Sequence, residues 1–445
     1  MKHCYLIGLF IAVNLLSSCT KVGLEDAEES QKPPGNTIEL DSRSLLNGYP
    51  DKQSYFPGDS AKIYMSTANV YKNKLLYVYD LAGNVVHKIN VSVTKPQDPR
   101  GDSPSEMGFG YTEPVAFKVP DIKSGVYLLA KKIPIVIKTT GHPDITIVYP
   151  SNTENAYCTS GRRSLYTVPA AKKVSFLRPI PYTFYGAGFF AWIEKQPYSY
   201  GVIADVDMED YNNFKGKLVV FPGHNEYWTR KARRNFDRFV DNGNHALILS
   251  GNTMWWQTSY NAGLNQMGCY KYSGEPIHTP DSLKTINWPE KSLKYQPIHS
   301  IGCDFNRGGY GNNGQGKGWH GFKVMTPGSP LFKGLSLAKG DIIPCRSVEY
   351  DGAPLLGFAA DGDPIIDAAM LQFHKVELTA FDHGFRVKGT VATSMVFKKT
   401  VHSGTVINFP STNWCTAESF RQGPIPRITK NAIDGLLTNQ DMFSK

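Results

Sequence analysis

An imidazole, a carboxylate and a phenol stand within four residues at His224-Asn225-Glu226-Tyr227. Such a trio offers a general acid or base, an anionic ligand and a hard oxygen donor. It follows the apolar run Leu218-Val219-Val220-Phe221 and the stop Pro222-Gly223. A short run rich in β-branched residues reads as a fully buried strand. From Thr229 the period becomes helical. Thr229 is a candidate N-cap, Ala232, Phe236, Phe239 and Val240 recur on one face, and Gly243 is a candidate stop. A second buried run, His245 to Ser250, ends at Gly251-Asn252-Thr253. The unit is therefore strand, loop, helix, strand. It sets the trio beyond the carboxyl end of a strand, where open α/β sheets bind ligands. His224 and Glu226 are the acid–base candidates. The competing reading is that each is only a cap or a loop contact.

The elements that must position this trio span residues 139–445. Ile145 to Tyr149 is a buried run followed by Asn152, Thr153 and Tyr157. Ala187 to Lys195 has a helical pattern, and Gly201 to Ala204 reads as a thin strand. Strands alternating with helices indicate a parallel, doubly wound sheet. In it, the strands at Ile145 and Leu218 end on the same edge and bring Asn152, Thr153 and Tyr157 toward the trio. These three, with Asn252 and Trp255, are the candidate substrate contacts. From Met254 to Trp319 the periodicity dissolves into Gly, Asn and Tyr, which reads as long loops. Further strands are expected at Phe322–Met325, Val348–Asp351, Val391–Phe397 and Gly404–Phe409, and a closing helix at Ile433–Phe443.

Residues 40–138 carry short strand-like runs separated by turns such as Pro57-Gly58-Asp59 and Ala82-Gly83-Asn84. That pattern suggests an accessory β-sandwich of Ig-like type. Ahead of it, residues 1–18 resemble a lipoprotein signal peptide. Lys2 gives a charged start, Tyr5 to Leu16 is apolar, and Leu16-Ser17-Ser18-Cys19 resembles a bacterial lipobox, so Cys19 is the expected lipidation site. Residues 19–39 form a polar tether. Its acidic residues Glu25, Asp26, Glu28 and Glu29 resemble the surface-export signal of Bacteroidota lipoproteins. This predicts a lipid anchor to the outer membrane. The net charge of +9 is scattered rather than striped, which argues against a nucleic-acid partner. The five cysteines beyond Cys19 are widely spaced with no C-x-x-C pair, so a zinc ribbon or thioredoxin motif is excluded. They allow at most two disulfides.

The stretch Gly223-His224-Asn225-Glu226-Tyr227-Trp228, with Leu249-Ser250-Gly251-Asn252-Thr253 and Trp255-Trp256, resembles the C-terminal domain of the large subunit of N,N-dimethylformamidase and its relatives. Weaker likenesses lie at Asn152 to Tyr157, Gly302 to Gly309, Gly340-Asp341, Glu349 to Gly352 and Ser411 to Trp414. The resemblance implies a glutamine-amidotransferase-like, flavodoxin-like α/β core beside a β-sandwich. It implies amide hydrolysis at one iron ion held by two Tyr and one Glu. Carried onto this chain, Tyr227 is the first metal candidate, with Tyr185 or Tyr182 as the second. The Glu is expected within Gln296 to Gly302, where no carboxylate stands. His299 is the candidate there, and Glu349 is a fallback.

Two functions follow. One is a lipid-anchored hydrolase of an amide or related C–N bond, acting on a small molecule without the small subunit of the amidase. The other is a non-catalytic surface protein that binds a glycan or another ligand and has lost the metal. A third reading, Cys158 as a cysteine nucleophile, lacks the strand-to-helix elbow that would expose it.

Overall fold

The computed structural model describes residues 46–68, 70–93, 96–180, 185–271, 274–311, 321–345, 347–383 and 390–445. The expected signal peptide, Cys19, the tether and Tyr182 lie outside these residues. One compact unit runs from Leu40 to Lys445.

Its first part is two sheets across one core. Strands Asn47–Pro50, Ser60–Ser66 and Val115–Lys118 make a three-stranded sheet. Strands Ser54–Tyr55, Ile133–Ile137, Gly125–Leu129, Tyr71–Tyr79 and Val85–Val93 make a five-stranded one. Ile63 and Met65 from the first meet Leu76, Val78, Tyr127 and Ile135 from the second. Strands here alternate between buried and exposed positions, for example Ser60–Ser66, so one face of each sheet supplies the core.

The larger part is built on a nine-stranded sheet. Its order is Tyr200–Ala204, Ile145–Tyr149, Leu218–Gly223, His245–Ser250, Thr405–Asn408, Val391–Lys398, Lys375–His383, Gly321–Val324, Ile342–Pro344. The first five strands are parallel. The remaining pairings are antiparallel. The parallel sheet expected from sequence thus makes up the first five strands, and the flanking strands extend it in antiparallel fashion. The physical reason is connection length. Six residues separate Val391–Lys398 from Thr405–Asn408, and a parallel crossover needs a dozen or more. The chain is mixed α/β.

Burial on both faces explains the unbroken apolar runs. Along the parallel strands, Leu218, Val220, Leu247 and Leu249 face one core with Phe189, Phe190, Ile428 and Ile433. Val219, Phe221, Ala246 and Ile248 face the other with Phe236, Phe239 and Val240. The helix Arg230–Asp241 covers the second face. Thr229 caps it as expected, its Oγ1 accepting from the Ala232 amide at 3.2 Å. Helices Ala187–Ile193 and Ile425–Leu437 cover the first face. The closing helix begins eight residues earlier than expected, because Pro426 sits in its first turn, where proline is tolerated. Met442 and Phe443 lie beyond the helix and are buried against the core.

The segment after Met254 is not structureless. Strands Trp256–Asn261 and Gln266–Gly268 join Lys173–Ser175 and Tyr227–Thr229 in a four-stranded layer. Further along, the buried Arg233 guanidinium donates to the carbonyls of Tyr295 and Gln296 at 2.7 Å each. It also lies 3.7 Å from the Tyr295 ring centroid and 4.5 Å from that of Trp288. These contacts tie the excursion to the helix. All five described cysteines are free and buried.

Two segments meet closely beside the trio. A Cβ added at Gly251 would lie 2.3 Å from the Glu349 carbonyl and 2.6 Å from the Thr412 amide. Both neighbours are backbone and cannot step aside. Gly251→Ala should therefore lower stability by about 1–3 kcal/mol, the usual cost of overpacking. Denaturant unfolding checks this, and an unchanged midpoint at constant m-value would refute it.

Candidate active site: a buried carboxylate among phenols

Gly223 takes φ of 89° and ends the strand, which glycine does without strain. The chain then crosses the strand ends as a loop whose amides are individually supplied. Asn225 N donates to Ser250 Oγ at 2.9 Å, and Glu226 N donates to Thr153 Oγ1 at 3.0 Å. Asn225 Nδ2 returns to the Pro222 carbonyl at 3.0 Å. This backbone holds His224 and Glu226 so that their side chains meet, with His224 Nε2 3.4 Å from Glu226 Oε2.

Glu226 is the centre. It is 1% exposed, and a carboxylate so buried needs donors on both oxygens. Oε1 accepts from Tyr166 Oη at 2.7 Å and from Trp256 Nε1 at 2.9 Å. Behind Tyr166, the Tyr227 hydroxyl donates to the Tyr166 hydroxyl at 2.7 Å. Oε2 accepts from Tyr157 Oη at 2.9 Å and stands 3.4 Å from His224 Nε2. The same imidazole nitrogen is 3.4 Å from Glu349 Oε2. His224 Nδ1 faces the Gly251 carbonyl at 2.9 Å. A carbonyl only accepts, so Nδ1 carries a proton and Nε2 faces the two carboxylates. The Tyr185 ring stands edge-on to His224, with centroids 5.8 Å apart. Asn252 Nδ2 lies 3.4 Å from Glu349 Oε2.

The two oxygens of Glu226 are thus used differently. Oε1 is filled by an inner hydrogen-bonded chain. Oε2 meets Tyr157 and the His224 nitrogen that also faces Glu349. The rings of Tyr157 and Tyr166 stack at 4.3 Å and 20°. They are 38% and 41% exposed, so the cluster opens to solvent along their edges.

Electrostatics follow from burial. The phenols of Tyr157, Tyr166 and Tyr227 are pushed well above their usual range, first by desolvation and then by the Glu226 charge. Without a bound cation they are donors, as the hydrogen bonds require. Burial also raises Glu349 to about 7, with His224 opposing and Glu226 assisting the rise. Lys271 is lowered by burial, and Glu226 acts the other way. Its Nζ lies 3.7 Å from the Tyr166 ring centroid and 4.8 Å from that of Trp256.

The expected residues divide into those gathered here and those that are not. His224, Glu226, Tyr157, Tyr185 and Asn252 converge. Tyr227 is one hydroxyl removed from Glu226 rather than against it. Thr153 serves the Glu226 amide. Asn152 is a bracket, with N on Asp205 Oδ2 at 2.8 Å and Nδ2 on the Tyr227 carbonyl at 3.0 Å. Trp255 packs edge-on against Trp256 and Phe305, and its neighbour Trp256 makes the bond to Glu226. His299 stands apart, its Nδ1 facing the Leu371 carbonyl at 3.3 Å. Cys158 donates to the Pro179 carbonyl at 3.3 Å and takes no part. Tyr166, Trp256 and Lys271 were not singled out from sequence. The bonds that Tyr166 and Trp256 make to Glu226 bridge 60 and 30 residues, and no local pattern marks them as its donors.

Among the described residues no group of three or more His, Cys, Asp and Glu is arranged to hold a metal ion. Phenols fall outside that set. A carboxylate with phenol neighbours is a hard, anionic oxygen donor set, which suits trivalent iron. A bound cation also reverses the phenol electrostatics and favours phenolates.

No curated protein matches this chain. The family model described as N,N-dimethylformamidase beta subunit-like, C-terminal, matches residues 83–422. The match starts within the first part of the unit, earlier than residue 139, and covers the whole of the cluster. By that match over most of its length, the chain belongs to the N,N-dimethylformamidase beta subunit-like family.

Proposed function

We propose that this chain hydrolyses an amide or related C–N bond at an iron ion held by Glu226 Oε2, Tyr157 and Tyr185. The observation that carries this reading is the unequal use of the Glu226 oxygens. Oε1 is saturated by Tyr166 and Trp256, while Oε2 meets the phenol and the imidazole that also faces the second carboxylate. When bound, such an ion polarises a carbonyl and lowers the pKa of water. The residues of the chain do the rest. Tyr166, Tyr227 and Trp256 hold the carboxylate in place. His224, oriented by Gly251, presents Nε2 as a proton acceptor. Glu349, with its pKa near neutrality, shares a proton with that nitrogen and delivers one to the departing amine. Asn252 steadies Glu349.

The case for a binding-only protein rests on the missing carboxylate in residues 296–302 and on the aromatic-rich loop from Trp255. Glu226 supplies one from within the central motif, so His299 is not needed as its substitute. A small-molecule amide is the proposed substrate class. We carry the Ig-like sandwich and the amidotransferase-like core as part of this reading, supported by the two facing sheets and the five parallel strands. The same holds for the lipid anchor at Cys19 and outer-membrane placement, supported by the lipobox. Among the described residues no helix is long and apolar enough to cross a membrane. Metabolic fatty-acid labelling of the intact chain should disappear in Cys19→Ala; persistent labelling would exclude that anchor.

Metal analysis tests the centre. Wild type should hold about one iron per chain, with a visible phenolate-to-iron band. Tyr157→Phe, Tyr185→Phe and Glu226→Gln should lose the iron, whereas Tyr227→Phe should keep it with a shifted band. Iron retained by Tyr157→Phe, or lost only in Tyr227→Phe, would reject the assignment.

The pH behaviour of Glu349 gives a second test. Its carboxyl rises from 4.5 to about 7 on folding. The folded chain therefore binds the extra proton between those values. The stabilisation is complete below about 4.5 and disappears as pH climbs through 7. Glu349→Gln should thus be more stable than wild type at pH 8, by on the order of 1–3 kcal/mol, with no advantage at pH 4. Turnover should fall roughly 100-fold or more with loss of the proton donor, and the limb near pH 7 should vanish. An unaltered rate profile would remove Glu349 from the reaction.

A further inference from the structure

Arg178 is completely buried, and the chemistry above makes no use of it. All its partners are neutral oxygens of the chain. Nε donates to the Ser175 carbonyl at 3.1 Å and to Asn155 Oδ1 at 3.2 Å. Nη1 donates to the carbonyls of Ser160 at 2.7 Å and Arg163 at 2.9 Å. Nη2 donates to the Asn155 carbonyl at 2.8 Å and to its Oδ1 at 3.0 Å. Burial pulls the Arg178 pKa down, and the neighbouring Cys158 sulfur offsets this in part. A charge held out of water on neutral oxygens is costly unless its donors are all used.

What these partners carry explains the expense. Asn155 lies in the last turn of the helix Ser151–Tyr157, which ends at Tyr157. Ser160 and Arg163 flank the loop that leads to Tyr166. The two rings stack, and their hydroxyls take opposite oxygens of Glu226. One planar fork therefore joins the helix end bearing one phenol to the loop bearing the other. The Leu165 amide adds a single bond to the Ala156 carbonyl at 3.0 Å. A lysine, with three donors on a point charge, cannot span the same carbonyls.

We infer that Arg178 is a positioning residue that sets Tyr157 and Tyr166 in register on the two oxygens of Glu226. The inference rests on the reading of Glu226 as the carboxylate of the active centre. It places the determinant of phenol geometry in a group that touches neither substrate nor ion.

The test compares wild type, Arg178→Lys, Arg178→Met and Tyr157→Phe in the full chain, well below the melting temperature of the least stable. Hydrogen exchange by mass spectrometry is the first readout. Amides of residues 156–167 should exchange at least ten-fold faster in both Arg178 variants, with the Leu218–Gly223 strand still protected. Near-ultraviolet circular dichroism from the stacked tyrosines should fall toward the Tyr157→Phe signal. In iron-loaded protein, the phenolate-to-iron band should shift or weaken, and lysine should not rescue it. Should wild type take up no iron, the reading of the centre fails, while exchange and dichroism still decide the role of Arg178. Protection of residues 156–167 unchanged in Arg178→Met, or lost evenly across the chain, would overturn the positioning role.

Discussion

A carboxylate at 1% exposure is a liability unless each oxygen is met by a donor. The fold around Glu226 meets that demand from three separate places. The helix Ser151–Tyr157 brings Tyr157, the loop after it brings Tyr166, and the strand Trp256–Asn261 brings Trp256. Tyr227 closes the set from behind Tyr166. Losing one donor leaves a buried charge short of a partner, so the cluster is expected to be ordered as a unit rather than residue by residue.

The same constraint links the site to the sheet. Parallel strands Ile145–Tyr149, Leu218–Gly223 and His245–Ser250 end together, and the segments that leave them supply Thr153, Glu226 and Gly251. A separate two-stranded sheet of Asp304–Tyr310 and Glu349–Gly352 contributes differently. The strand Glu349–Gly352 passes so close to Gly251 that only glycine fits there, and this approach delivers Glu349 to His224. His224 and Glu349, over a hundred residues apart in the chain, thus meet across one edge.

Much of this was legible in the sequence, for identifiable reasons. The strand–loop–helix–strand unit declared itself through a change of period and through Thr229 and Gly243. Its polar trio lay where the topology places ligands. Tyr157 was drawn toward it by the shared strand edge. What was hidden depended on distance along the chain. Nothing near Tyr166, Trp256 or Lys271 advertises that they face Glu226. The strand Lys375–His383 passed unrecognised, and the strands Trp256–Asn261 and Gln266–Gly268 are too polar and short to stand out from loops. The resemblance set a carboxylate shortly before Gly302, where the chain offers His299, whose Nδ1 faces the Leu371 carbonyl. Tyr227 was favoured through the family resemblance of the Glu-Tyr-Trp motif, and the Tyr166 hydroxyl intervenes between it and the carboxylate.

The central claim is that Glu226 Oε2, Tyr157 and Tyr185 form one cation site. Anomalous diffraction at the iron absorption edge, from crystals of the protein supplied with iron, addresses it directly. The account predicts one strong peak beside Glu226 Oε2, within bonding distance of the Tyr157 and Tyr185 hydroxyls. A peak at His299 or Tyr227, or no peak beside Glu226 at full iron occupancy in solution, would contradict it.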